Sequence, residues 1–115
     1  RDFTYVGDTV DGFLRAALAP DVTGEEINLG TGSDIAIGEL AERIIALTGR
    51  PVSIASEAER RRPEKSEVLR LLSDNALARR LLGWQPVWSL DDGLRATVSW
   101  IAGHLDFYRP GRYEV

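Results

Sequence analysis

The residue pattern predicts a small α/β fold, with short strands, three to four helices and no large sheet of its own. Two observations lead there. Apolar residues recur at three- and four-residue spacing in four stretches, as one face of a helix requires. Between these stretches lie short runs rich in β-formers, bounded by glycine, proline or polar turns. The length, 115 residues, allows at most one domain with one core. A main unit over residues 1–105 and an aromatic, basic tail over 106–115 are expected.

The elements follow in order. Asp2 to Val6 reads as a short strand. Asp8 is expected to cap a helix whose face is Val10, Phe13, Leu14, Ala17 and Leu18, with Pro20 ending it. Glu26 to Leu29 reads as a second strand, ending in the turn Gly30-Thr31-Gly32-Ser33. That turn lacks the Gly-Lys-Ser/Thr of a phosphate loop, and the third glycine of a dinucleotide fingerprint would fall at Ile35. A tight turn is therefore favoured over a phosphate cradle. Leu40, Ile44, Ile45 and Leu47 form the next helical face, closed by Gly49 and Pro51. Its start is poorly capped, because Ala36 stands where a capping box needs Ser or Thr. Val52-Ser53-Ile54 is β-like, and Val68 to Leu72 is a short strand or turn. Asp74 is expected to cap a third helix with the stripe Leu77, Ala78, Leu81 and Leu82. Trp84-Gln85-Pro86 is a rigid connector. Ser89 caps the last helix, with Asp91 and Asp92 in its first turn and Leu94, Val98, Ile101 and Leu105 as its face.

Composition excludes several functions. The net charge of −4 disfavours bulk nucleic-acid binding. No apolar run is long enough to span a membrane. Without cysteine there is no disulfide framework or thiolate metal site, which fits a cytoplasmic protein. The lone histidine, His104, lacks the partners of a metal site or a nucleophile–base pair, so no catalytic residue and no metal are assigned. The chain has no methionine and opens directly into a β-like run, so it is expected to be the C-terminal part of a longer polypeptide.

The densest chemistry lies in Arg60-Arg61-Arg62-Pro63-Glu64-Lys65-Ser66-Glu67-Val68. Arginine forks match phosphate oxygens, so this stretch is either an anion-binding loop or a solvated charged connector.

Taken together, Arg1-Asp2-Phe3-Thr4-Tyr5-Val6-Gly7-Asp8, Asn28-Leu29-Gly30-Thr31-Gly32, Arg62-Pro63-Glu64-Lys65-Ser66-Glu67-Val68, Leu82-Gly83-Trp84-Gln85-Pro86 and Ser89-Leu90-Asp91-Asp92-Gly93-Leu94, in this order, resemble the C-terminal third of extended short-chain dehydrogenase/reductases. More narrowly, they are similar to NAD-dependent epimerases and dehydratases acting on nucleotide sugars. The resemblance implies a small substrate-binding lobe without its Rossmann domain. It implies that Arg1 and Arg62 contact the diphosphate of a nucleotide-diphosphate sugar, and that Glu67, or alternatively Glu64, bonds the ribose. It also implies NAD or NADP held mainly by the N-terminal domain, with none on this chain, and a homodimer for the full-length protein. The wording around Arg62 is most like 4,6-dehydratases of GDP-mannose or UDP-N-acetylhexosamines, with a 4-epimerase as the alternative. The catalytic Tyr-x-x-x-Lys pair does not occur, since Lys65 is the only lysine and Arg61 stands four places before it. The chain alone is therefore expected to be inactive. A rival from another class is a stand-alone α/β interaction module without ligand. The lobe should leave an uncovered apolar surface and self-associate; the module should cover its helix faces.

Overall fold

The computed structural model describes residues 1–55 and 68–108. Among them are four α-helices, α1 (Val6–Leu18), α2 (Ile37–Thr48), α3 (Ala76–Leu82) and α4 (Leu90–Gly103), and a 3-10 turn at Leu105–Phe107. No strand occurs among the described residues, which overturns the α/β expectation. The runs at Asp2–Tyr5, Glu26–Leu29, Val52–Ile54 and Val68–Leu72 all lack a ladder. A strand needs consecutive backbone pairs with a neighbour. Here Arg1 makes a single two-way exchange with Ile35, through Arg1 N–H to Ile35 C=O at 2.8 Å and Ile35 N–H to Arg1 C=O at 3.0 Å. Asp2 N–H reaches Leu71 C=O at 3.1 Å. The Asp2 side chain adds bonds from Thr31, Gly32 and Ser73, which lie just outside the other runs.

Helices pack in two pairs, α1 with α3 and α2 with α4. The core lies under the first pair. Trp84 and Ala78 are wholly buried, Leu82 nearly so, and Ala16, Ala19, Val22, Ile27, Leu29 and Leu81 pack around them. Trp84, read from sequence as part of a connector, is the centre of this cluster. Its indole N–H donates to Asp8 C=O at 2.9 Å, which satisfies the one polar atom that burial would strand.

In α1 the sequence and the structure disagree. The helix buries Asp8 and Gly12, with Ala16 and Ala19 against the core. The apolar face of Val10, Phe13, Leu14 and Leu18 points outward, with Leu18 84% exposed. Gly12 explains the choice, because a Cβ there would collide with the Leu29 side chain. The small-residue face allows close approach, and the large residues are left outside.

Helix ends are closer to expectation. α1 begins at Val6 with Tyr5 in the cap position, three places before the expected cap Asp8. Asp8 turns inward, and its carboxylate accepts from Val87 N–H and Trp88 N–H at 3.0 and 3.2 Å. α2 starts after Ala36 without a side-chain cap, and it ends at Gly49 in the left-handed region, as expected. Asn75 precedes α3, but Asp74 still accepts from the first-turn Ala76 N–H at 2.9 Å. Ser89 caps α4 as expected, accepting Asp92 N–H at 3.1 Å.

Candidate functional site

The turn Gly30-Thr31-Gly32-Ser33 is the local feature around which the site is built. Gly32 has φ +73°, a conformation that suits glycine. Its turn directs two backbone N–H groups to one point, as phosphate-binding turns do. The anion at that point belongs to the protein. Asp2 Oδ1 accepts from Thr31 N–H at 3.0 Å and Thr31 hydroxyl at 2.6 Å, and Asp2 Oδ2 accepts from Gly32 N–H at 2.9 Å. Ser73 N–H adds a longer bond to Oδ2 at 3.3 Å. Partial burial pushes the Asp2 carboxyl up, but these four donors together outweigh it and hold the group below its ordinary 3.8. The tight-turn reading thus agrees with the geometry, with an internal carboxylate filling the cradle.

Two further contacts lock the same junction. Asn75 is buried and donates its amide to Gly30 C=O at 2.7 Å. Gly30 lies so close to Ser73 that an added Cβ would overlap the serine Cβ. Segments near residues 2, 31 and 73 therefore meet at a polar knot.

Arg1 adjoins this knot. Its main chain is tied to Ile35 on both sides, and its C-terminal neighbour is Asp2. Arg62, Glu64 and Glu67 lie outside the described residues. Sequence reasoning selected Arg1 and missed Asp2. Its partners stand 29 and 71 residues away in sequence, beyond the reach of any local pattern.

Beside the knot is an open cleft of about 310 Å³, lined by Phe3, Thr31, Ser33, Asp34, Ile35, Glu39, Arg43, Trp88, Ser89 and Leu90. An apolar hollow of about 360 Å³ adjoins it, between Phe3, Tyr5, Trp88 and the α4 residues Leu94 and Thr97. Tyr5 and Trp88 pack at a tilt of 41° with centroids 4.4 Å apart, and Trp88 lines both spaces. The cleft's cation, Arg43, is engaged within the protein. It bonds Glu39 at 2.8 Å and Asp91 at 3.1 Å, tying α2 to α4, and the Glu39 bond first and then Asp91 raise its pKa further. Arg70 grips Asp34 through two bonds of 2.7 and 3.0 Å, which lowers the Asp34 carboxyl. Asp34 and Glu39 leave this cleft's lining without surplus positive charge.

No group of His, Cys, Asp and Glu suited to a metal occurs among the described residues. His104 Nδ1 donates to Trp100 C=O at 2.7 Å, and its ring stacks on Trp100 at 4.3 Å. A nicotinamide dinucleotide does not fit the glycine turn, because Asp2 already holds the turn's N–H groups and an anionic pyrophosphate would meet that carboxylate. No described helix is long and apolar enough to cross a membrane.

Residues 1–97 match the family model described as GDP-mannose 4,6 dehydratase. A UDP-glucose 4-epimerase of Mycolicibacterium smegmatis is 38% identical over 98 residues, covering 85% of this chain and 30% of that protein. The solved epimerase Mth375 of Methanothermobacter thermautotrophicus has a TM-score of 0.83 at 34% identity, covering 93% of this chain and 31% of that one. The Bordetella bronchiseptica enzyme WbmF, solved with NAD+ and UDP, has a TM-score of 0.71 at 27% identity, again covering 93% and 31%. Such likeness in sequence and fold defines a portion of an enzyme family. The chain belongs to the NAD-dependent epimerase/dehydratase family and corresponds to a C-terminal part of such a protein. It spans less than a third of the length of these relatives.

Proposed function

We propose that this chain is the nucleotide-sugar-binding portion of an NAD-dependent 4,6-dehydratase, of the GDP-mannose or UDP-N-acetylhexosamine type. Arg1 and Arg62 hold the diphosphate, and Glu67 or Glu64 bonds the ribose. NAD or NADP, with the groups that move hydride and proton, belongs to the rest of the polypeptide. The observation that carries the reading is the family match over residues 1–97, which begins on an arginine anchored beside the Phe3–Trp88 cleft.

The physical logic is remote binding. A diphosphate is distant from the reacting sugar carbon, and holding it positions the hexose for hydride transfer. Two arginine forks match two phosphates in charge and geometry. A 4-epimerase is the second reading, favoured by the 38%-identical UDP-glucose 4-epimerase. The two separate by product: loss of water from the sugar marks the dehydratase, and isomerisation without loss marks the epimerase.

The test is calorimetric titration of UDP and GDP into the full-length protein. Arg1→Ala and Arg62→Ala should each weaken the preferred nucleotide about tenfold, the worth of one charged hydrogen-bond pair. Unchanged affinity in both variants would remove the diphosphate assignment.

A further inference from the structure

We propose that Asp2 is a positioning residue for nucleotide-diphosphate binding: its carboxylate fixes the backbone from which Arg1 projects, and it acts on the diphosphate only through Arg1. The proposal rests on the reading of Arg1 given above and adds a residue to it.

The argument starts from the donors. Asp2 receives Thr31 N–H, Thr31 hydroxyl, Gly32 N–H and Ser73 N–H, from two segments remote from each other in sequence. One side chain therefore joins three segments at the residue next to Arg1. Ile35, four residues beyond Thr31, holds Arg1 itself through bonds in both directions. The Arg1 Cα is thus fixed between two anchors, although no ladder supports this segment. An arginine side chain is long and rotates freely, so its root must be fixed if the guanidinium is to meet an anion in one geometry. Misplacement of a binding group by about 1 Å can cost about a hundredfold in rate. Direct contact between Asp2 and the diphosphate is disfavoured, since both are anions and the carboxylate oxygens already carry their donors.

Asp2→Asn retains the shape but replaces one acceptor oxygen with an NH2 group that faces N–H donors. In the full-length protein, calorimetry with UDP and GDP should show the preferred nucleotide weakened about tenfold, with uridine or guanosine affinity unchanged. In an Arg1→Ala background, Asp2→Asn should weaken it further by less than about twofold, because the effect passes through a side chain already removed. Should Asp2→Asn fail to fold, Thr31→Val deletes the shortest bond to Asp2, together with the hydroxyl's two bonds to the Ser33 main chain, and should weaken binding about threefold, again only when Arg1 is present. Losses that multiply in the double variant would overturn the proposal, as would a loss of nucleoside binding equal to the loss of diphosphate binding. If Arg1→Ala weakens binding but the losses multiply, the Arg1 assignment stands and only Asp2 is removed. If Arg1→Ala changes nothing, the Arg1 assignment falls and Asp2 falls with it.

Discussion

Carboxylates at Asp2 and Asp8 do work that regular secondary structure would otherwise do. Each accepts backbone N–H groups of segments that have no ladder: Thr31, Gly32 and Ser73 for Asp2, Val87 and Trp88 for Asp8. A buried N–H without a partner costs about 1–3 kcal/mol, so these side chains replace missing main-chain acceptors. The consequence for acid stability has a definite sign. The Asp2 carboxyl is held below its usual 3.8, so its contribution is fully present above that value and is lost as the pH falls through the folded-state value. Asp34, lowered chiefly by its bond from Arg70, adds in the same direction, but it is exposed and screened by salt. We expect the thermal midpoint of the full-length protein to fall below about pH 4, and Asp2→Asn to flatten that fall. An unaltered acid limb in Asp2→Asn would show that the knot does not couple to protonation.

At the scale of elements, helix ends follow short-range chemistry. Ser89 accepts Asp92 N–H at 3.1 Å, and its hydroxyl donates to Asp92 Oδ2 at 2.6 Å, a local box between residues three places apart. Ser89→Ala should destabilise the α4 region by about 1 kcal/mol, measured as faster amide hydrogen exchange in the first turn of α4. Exchange unaltered there would assign the start of α4 to tertiary packing instead. Gly49 and Gly83 end α2 and α3 with φ of +62° and +58°, which an L side chain rarely adopts. The strands fared differently. Their residues are β-formers, but a strand is defined by its neighbour, and no neighbour with matching consecutive bonds occurs among the described residues.

For the whole molecule, the balance of exposed and buried apolar surface stands out. Among the described residues only Ala78, Leu82 and Trp84 are buried hydrophobics, while Val6, Val10, Phe13, Leu14 and Leu18 form an uncovered stripe along α1. A stripe of this kind is uncommon on a monomer that stays monomeric. The isolated 115-residue chain should therefore self-associate at tens of micromolar, read by size exclusion with light scattering, and Phe13→Ser with Leu18→Ser should shift it toward the monomer. A wild-type chain that stays monomeric at that concentration would rule this out and favour the stand-alone module.

The order of residues by itself determined the four helices, the glycine stops, the Ser89 cap and the family likeness, because each is written within a few neighbouring positions or in a fixed order of short motifs. Only the tertiary structure decided which side of α1 turns inward, that Trp84 is the core's centre, and that Asp2 fills the glycine turn. Those outcomes depend on partners remote in sequence: Leu29 for Gly12, Thr31 and Ser73 for Asp2, and Val87 and Trp88 for Asp8. Periodicity names an apolar face, but close packing against Leu29 at Gly12 selects the small one.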